Sequence, residues 1–117
     1  MHELSVAQAL IEELEGAARA ENASAVTRLT VAVGALSGVE PEALKLAFPL
    51  AAEGTLAQQA ELTVESVPAE VHCPECGATT PPDFPVMACC NCGSSEVEIE
   101  SGRELLIRSI ELSVPSS

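Results

Sequence analysis

Five cysteines carry the clearest chemistry of this 117-residue chain, and all of them lie between positions 73 and 92. Cys73 and Cys76 form one C-x-x-C pair, and Cys89 and Cys92 form a second. Each pair predicts a tight turn, or knuckle, that brings two thiolates to one ion, and a glycine follows each pair where the turn needs a permissive backbone. Two knuckles together complete the tetrahedral four-sulfur site that is typical of structural zinc. The spacing therefore predicts a Zn²⁺ site made by these four cysteines.

Other readings of the same residues stay open at this point. Iron in a four-sulfur shell would give a rubredoxin-like electron carrier, whereas a C-x-x-C redox pair is disfavoured because two pairs lie close together. We expect Cys90 to point away from the metal as a spectator, although it could compete with Cys89. We expect His72, which directly precedes the first pair, to be a solvent-facing loop histidine, with a reserve ligand as the alternative.

The amino terminus offers a second set of donors, Met1-His2-Glu3. A free α-amine, an imidazole and the intervening backbone amides can chelate one ion in a plane, and this nitrogen-rich geometry suits Ni(II) or Cu(II). Glu3 adds an oxygen donor. The alternative is a frayed, solvated chain end, and so short a motif is weak evidence when taken alone.

Two helices are predicted in the first half of the chain. Apolar residues recur at a helical period from Leu4 to Leu14, and a capping-box pattern at Ser5 and Gln8 places the start of this helix near Ser5. It should end near residue 21 or 22. Pro41 suits the first position of a second helix, in which Pro49 should cause a kink or an early stop; Gly54 could close whatever helix continues.

Three segments have the alternation of strands: 26–34, 60–67 and 105–112. The stretch between the second and third strands is rich in Cys, Pro, Gly and Ser and cannot build a core by itself. The sequence thus predicts an α/β fold with a small three-stranded sheet and two helices, plus an inserted zinc-ribbon-like domain with two C-x-x-C knuckles. We place the α/β domain at 1–69 with 102–117, and the zinc-binding domain at 70–101.

The charge and the hydropathy limit the possible partners. A formal net charge of −13 repels phosphate backbones, so we expect no binding to nucleic acid. No apolar run is long enough to span a membrane, and no cleavable leader is evident. We therefore expect a cytoplasmic protein without a membrane partner.

Four stretches of this sequence together resemble the HypA/HybF family. They are M-H-E-L-S at the terminus, V-G-A-L-S-G-V-E-P-E-A-L in the middle, the paired C-x-x-C-G motifs, and G-R-E-L-L-I-R-S-I-E-L near the end. They occur in the family's order and cover nearly the whole chain. Members of that family are nickel metallochaperones for [NiFe]-hydrogenase maturation.

The resemblance implies a non-enzymatic nickel carrier with structural Zn²⁺ and Ni²⁺ as transient cargo. It implies that His2 is the essential nickel ligand, with the Met1 amine and Glu3 as its companions, and that the zinc ligands are the four paired cysteines. It implies a GTPase maturation partner and delivery of nickel to the hydrogenase large subunit, with urease as a further client of some relatives. A zinc-ribbon interaction or regulatory module without a nickel role is the alternative.

Two positions depart from the family's usual pattern. Residue 90 is Cys where the second knuckle usually has Pro, which leaves the identity of the third zinc ligand open. Pro49 interrupts a helix that is usually continuous, which puts the length of that helix in doubt but not the site.

Overall fold

A computed structural model describes residues 2–82 and 87–115 of the chain. The elements follow one another in the order α1 (Glu3–Ala20), β1 (Ala25–Gly34), α2 (Pro41–Ala52), β2 (Glu61–Val67), β3 (Glu70–His72), β4 (Thr79–Thr80), β5 (Glu98–Ser101) and β6 (Leu105–Ser113). They form two helices and two three-stranded sheets, which confirms the predicted fold class. In the part of the chain that the structure describes, no helix is long and apolar enough to cross a membrane.

The larger sheet has the strand order β2-β1-β6. β1 and β2 are parallel and are joined through α2, whereas β6 is antiparallel to β1. Leu29 on the central strand has Leu62 and Ile110 as its register partners. The last strand thus returns to the sheet begun by the first two, as the sequence predicted.

One aliphatic core lies between this sheet and the two helices. Its largest fully buried side chains include Leu14 of α1, Leu29 of β1, and Leu44 and Phe48 of α2. Burying side chains of this size removes enough apolar surface from water to hold the two helices against the sheet. The helices also pack against each other along their length.

Helix α1 begins earlier than predicted. Its first residue is Glu3, and His2 occupies the N-cap position without a side-chain capping hydrogen bond. The Val6 backbone N–H donates to the His2 carbonyl oxygen at 2.9 Å. The capping box at Ser5 was therefore wrong, and Glu3 lies inside the helix, where its negative charge favours the positive end of the helix dipole.

Helix α2 passes through Pro49 and ends at Ala52, so of the predicted kink or early stop the early stop was wrong, and the kink stays a prediction. Leu44, Phe48 and Ala52 are buried on one face, and this packing compensates for the hydrogen bond that proline cannot donate. Pro41 at the first position is confirmed. Gly54 follows the helix with φ of 78°, the left-handed conformation expected of a helix-closing glycine.

The alternation predicted for β1 holds for Leu29, Val31 and Val33 but not for Ala32, which is also fully buried. Ala32 lies on the central strand, where Glu65 of β2 is its register partner. Glu65 forms an ion pair of 3.1 Å with Arg108 of β6, so this pair passes over β1. Strand β1 has a strand on each side, so longer side chains from β2 and β6 can cover a small residue such as Ala32 on its polar face.

The smaller sheet has the order β4-β3-β5 and buries little more than Val71 and the cysteines beside it. It begins at Glu70 and ends at Ser101. The Ser101 hydroxyl donates to the Pro68 carbonyl oxygen at 3.0 Å, so the two connections to the larger sheet lie side by side. The division of the chain into two domains at these points stays a prediction.

Candidate metal centre

The two C-x-x-C turns share one backbone pattern. In the first, the Cys73 N–H donates to the Ala78 carbonyl oxygen at 2.9 Å and the Gly77 N–H donates to the Cys73 carbonyl oxygen at 2.7 Å. In the second, the Cys89 N–H donates to Ser94 at 2.9 Å and the Gly93 N–H donates to Cys89 at 2.8 Å. Both glycines have φ near 77°, a region that residues with a Cβ rarely adopt. Each C-x-x-C-G sequence therefore folds as the predicted knuckle.

The knuckles bring four sulfur atoms together. The Sγ atoms of Cys73, Cys76, Cys89 and Cys92 all lie within 4.8 Å of one another. The Cys73–Cys92 distance is 3.5 Å and the Cys76–Cys89 distance is 3.7 Å. A tetrahedron with Zn–S bonds of about 2.3 Å has S–S edges of about 3.8 Å, whereas a disulfide bond would need about 2.05 Å. The spacing of these sulfurs thus suits a tetrahedral ion of the size of Zn²⁺, and the thiols are not joined as disulfides.

Hydrogen bonds around the sulfurs favour thiolate at two of the positions. The Asn91 side-chain amide donates to Cys76 Sγ at 3.5 Å and is the main cause that lowers the pKa of this thiol to about 6. The Cys92 backbone N–H, which donates to Cys89 Sγ at 3.4 Å, lowers the pKa of Cys89. Zinc binds thiolates, so these donors help to supply the charged form that the ion needs.

The thiol of Cys92 shows the opposite tendency. The Ser94 backbone N–H lowers the pKa of Cys92, but the neighbouring thiols, Cys73 foremost, outweigh it and raise the pKa to about 12. Four thiols this close cannot all ionise without a cation between them. A dication would supply the missing positive charge, so the electrostatics of the four thiols suit a bound metal ion.

Cys90 and His72 lie outside this group. Cys90 is exposed, and the four clustered sulfurs are those of the regular C-x-x-C pairs. His72 belongs to β3 rather than to a loop, is half-buried, and has its Nδ1 atom 3.2 Å from the Thr79 hydroxyl oxygen. Neither side chain belongs to the group of four clustered sulfur atoms.

The amino-terminal donors lie at the start of α1. His2 is exposed, and Glu3 follows it in the first turn. Met1 lies outside the described residues. The Glu3 carboxylate accepts a hydrogen bond of 3.2 Å from the Glu40 backbone N–H, at the start of α2. A hydrogen bond from the amino-terminal ammonium and this N–H lower the pKa of Glu3 to about 2. The Glu3 carboxylate beside His2 is therefore charged at neutral pH.

Two residues of these sites were missed by the sequence analysis. Glu40 contacts Glu3 across 37 positions of sequence, and no local pattern signals such a contact. Asn91 lies between the two cysteines of the second pair, and an amide at this position could have been noticed as a thiolate donor. Both residues donate hydrogen bonds to candidate metal ligands, Glu40 to Glu3 and Asn91 to Cys76. Such hydrogen bonds orient metal ligands and tune their affinity for the ion.

Comparison with known proteins gives a consistent result. Residues 1–112 match the family model described as "Hydrogenase/urease nickel incorporation, metallochaperone, hypA". The chain is 41% identical to the hydrogenase maturation factor HypA of Chlorobium limicola over 96% of this chain and 97% of that protein. It is 41% identical to HypA of Aquifex aeolicus over 97% and 99% of the two chains, and 45% identical to HypA of Chlorobium phaeobacteroides over 96% and 99%.

Solved structures agree with the sequence relatives. The solution structure of the Ni metallochaperone HypA from Helicobacter pylori superposes with a TM-score of 0.71 at 28% identity, covering 98% of this chain and all of that one. A second solution structure of a HypA protein gives a TM-score of 0.73 at 27% identity and covers 98% of both chains. With the matched fold, the clustered cysteines and the full-length family match in place, the chain belongs to the HypA family of nickel-incorporation metallochaperones for hydrogenase maturation.

Proposed function

We propose that this chain binds Ni(II) through its Met1-His2-Glu3 segment and delivers it during [NiFe]-hydrogenase maturation. The observation that carries this proposal is the setting of His2: an exposed imidazole at the very start of α1, next to the Glu3 carboxylate, which accepts a hydrogen bond from the Glu40 N–H. An α-amine, an imidazole and backbone amides give the square, nitrogen-rich geometry that Ni(II) prefers.

The helical position of Glu3 favours amide coordination. The first four N–H groups of a helix have no intrahelical acceptor, so the amides of His2 and Glu3 are not needed to hold α1 together. A deprotonated amide carries negative charge, and the positive end of the helix dipole stabilises negative charge. The helix dipole disfavours a bare cation at this end of α1, but it stabilises the negatively charged amide ligands that bind the cation.

We further propose that Cys73, Cys76, Cys89 and Cys92 hold Zn²⁺ as a structural ion. Among its described residues, the segment that they join has only a small apolar core around Val71, and segments with small cores depend on metal binding for their folding energy. Zinc bound by four thiolates has no open position for a substrate. The site therefore suits structure rather than catalysis, in agreement with a carrier that is not an enzyme.

The mode of transfer follows from where the nickel donors lie. Ligands on an exposed chain end can be approached by a partner and removed from the ion one at a time. We propose a GTPase maturation protein as the partner and the hydrogenase large subunit as the acceptor, in the cytoplasm.

The test is calorimetric titration of Ni(II) into the untagged, zinc-loaded chain. His2→Ala should abolish binding of micromolar or tighter affinity, because it removes the imidazole of the chelate. The chain has only one other histidine, so His72→Ala is the matched control and should bind as the wild type does.

Equal nickel binding by the wild type and His2→Ala would contradict the proposal. The zinc-ribbon interaction module without a nickel role would then be the better description. A fusion tag ahead of Met1 would convert the α-amine into a peptide amide, so a tagged chain should also lose tight binding.

A further inference from the structure

We infer that the outer face of α2 is the docking surface for the protein with which this chain exchanges nickel, and that this partner presents an apolar groove bordered by lysine or arginine. The surface comprises the exposed residues of this face, which are Glu42, Lys45, Leu46, Pro49, Leu50 and Glu53. The inference rests on the proposed nickel function, since it names the place where the exchange partner binds.

The two leucines are the most exposed large apolar side chains in the described part of the protein. Leu46 is 76% exposed and Leu50 is 70% exposed, although the opposite face of the same helix is fully packed. They stand one turn apart, a spacing that brings side chains on a helix next to each other. Paired apolar anchors at this spacing are how a helix binds the apolar groove of another protein.

A backbone acceptor without its usual helical donor lies within the same surface. Pro49 has no N–H, so the Lys45 carbonyl oxygen lacks the hydrogen bond that a helix normally gives it. Lys45 and Pro49 are the sequence neighbours of the two leucines. A partner side chain with several N–H donors, such as arginine, can satisfy this oxygen while the leucines enter the groove.

The ion pair between Glu42 and Lys45 leaves the charge of Glu53 beside the leucines, and the rest of the chain adds a strong negative charge. Glu42 and Glu53 are exposed near the two ends of α2. Lys45, the only lysine of the chain, is paired with Glu42 at 3.4 Å. The whole chain has a net charge of −13, so a partner with a basic rim is attracted and an acidic one is repelled.

The surface begins close to the proposed nickel segment. The hydrogen bond between Glu3 and the Glu40 N–H places the start of α2 beside the start of α1. At a rise of 1.5 Å per residue, Leu46 lies about 9 Å and Leu50 about 15 Å along the axis from Glu40. A protein seated on the leucines would therefore reach His2 with groups at its own edge.

The first test measures binding of the maturation GTPase to the full-length, zinc-loaded chain. Leu46→Ala/Leu50→Ala keeps the helix propensity and should weaken the Kd at least tenfold, because two central anchors are lost. Leu105→Thr/Leu106→Thr alters two other exposed leucines, which lie on β6, and should leave the Kd unchanged. Circular dichroism melts establish that both variants are folded.

Several outcomes would overturn the inference. These are a wild-type chain that does not bind the GTPase, an α2 variant that binds as tightly as the wild type, or equal loss in the β6 control. A dimeric wild type that becomes monomeric in the α2 variant would assign the surface to a second copy instead. Nickel titration of the α2 variant should match the wild type, so failure of docking and failure of nickel binding are seen separately.

A second measurement needs no substitution. Lys45 carries the only side-chain amine, so its acetylation can be followed by mass spectrometry in the wild-type chain. Its labelling rate should fall at least severalfold when the GTPase is bound. An unchanged rate under saturating GTPase would exclude α2 as the interface.

Discussion

The close contact between Gly34 and Gly102 makes a sharp prediction about stability. Gly34 ends β1, and a Cβ placed there would lie 2.0 Å from the Gly102 carbonyl oxygen. That oxygen accepts from the Leu36 N–H at 2.6 Å, while the Gly34 N–H donates to the Glu104 carbonyl oxygen at 2.7 Å. Gly34→Ala must therefore push two backbone segments apart by more than 1 Å.

The expected cost follows from these contacts. Overpacking costs about 1–3 kcal/mol, and each of the two strained hydrogen bonds contributes about 1 kcal/mol. The free energy of unfolding should therefore fall by about 3–5 kcal/mol, which lowers Tm by roughly 12–20 °C for a chain of this size.

The assay is thermal and urea unfolding of the zinc-loaded protein, followed by circular dichroism. Gly16→Ala is the matched control: Gly16 is exposed within α1 and a Cβ there meets nothing within 4 Å. This control should gain about 1 kcal/mol from helix propensity. If Gly34→Ala loses less than about 1 kcal/mol, the backbone at the junction is more yielding than its contacts imply, and the reasoning fails.

The remaining predictions concern α2, the thiols and the two metals. Pro49→Ala restores an N–H donor to the Lys45 carbonyl oxygen and should raise the free energy of unfolding by about 1–3 kcal/mol, measured by urea denaturation; unchanged or lower stability would contradict this. Cys90→Ser should retain one zinc per chain by elemental analysis whereas Cys76→Ser loses it, and zinc loss in the former would make Cys90 a ligand. Glu3 should stay ionised at pH 3.5 in a carbon-13 NMR titration, because its folded-state pKa of about 2 lies below the ordinary value of 4.5; its contribution to stability is complete above about pH 4.5 and is lost as the pH falls from there through about 2. A midpoint near 4.5 would refute this. Nickel affinity should fall from about pH 7.5 to about pH 6, because protons compete for the nitrogen donors, and equal calorimetric affinities at both values would be the contrary result.

The elements with strong apolar periodicity were predictable from the sequence. Leu29, Val31 and Val33 alternate as a strand does, and the three strands of the larger sheet follow from such patterns. The knuckles were predictable too, because a C-x-x-C-G sequence contains both the sulfurs and the glycine that its turn requires. Features that depend on a few neighbouring residues can therefore be predicted from the sequence.

Features that depend on distant contacts were not predictable. Pro49 predicts a kink or an early stop, yet the helix continues to Ala52, with Phe48 and Ala52 buried on either side of the proline. Ser5 and Gln8 resemble a cap, yet α1 starts at Glu3, whose carboxylate meets the Glu40 N–H from a remote part of the chain. Tertiary packing decided both cases, and local propensity is weaker than packing.

The short strands β3, β4 and β5 were missed for a related reason. They contain two to four residues each, too few for a period-2 pattern to emerge. These strands can pair only when the ends of the segment lie close together, and the two knuckles bring them close. The strands therefore depend on the clustering of the cysteines.

The side-by-side placement of Pro68 and Ser101 has a consequence for the order of folding. Strand β6 can pair with β1 only after the chain between β2 and β6 has closed a loop of several tens of residues. Shortening that loop to a few residues, as a zinc-bound segment does, removes about three doublings of length and about 2 kcal/mol of closure entropy. If the loop closes before the folding barrier, zinc accelerates completion of the larger sheet roughly thirtyfold. Until β6 arrives, one edge of β1 is open to pairing with other chains. If the proposed zinc site forms first, zinc availability during synthesis would govern how long this edge is exposed.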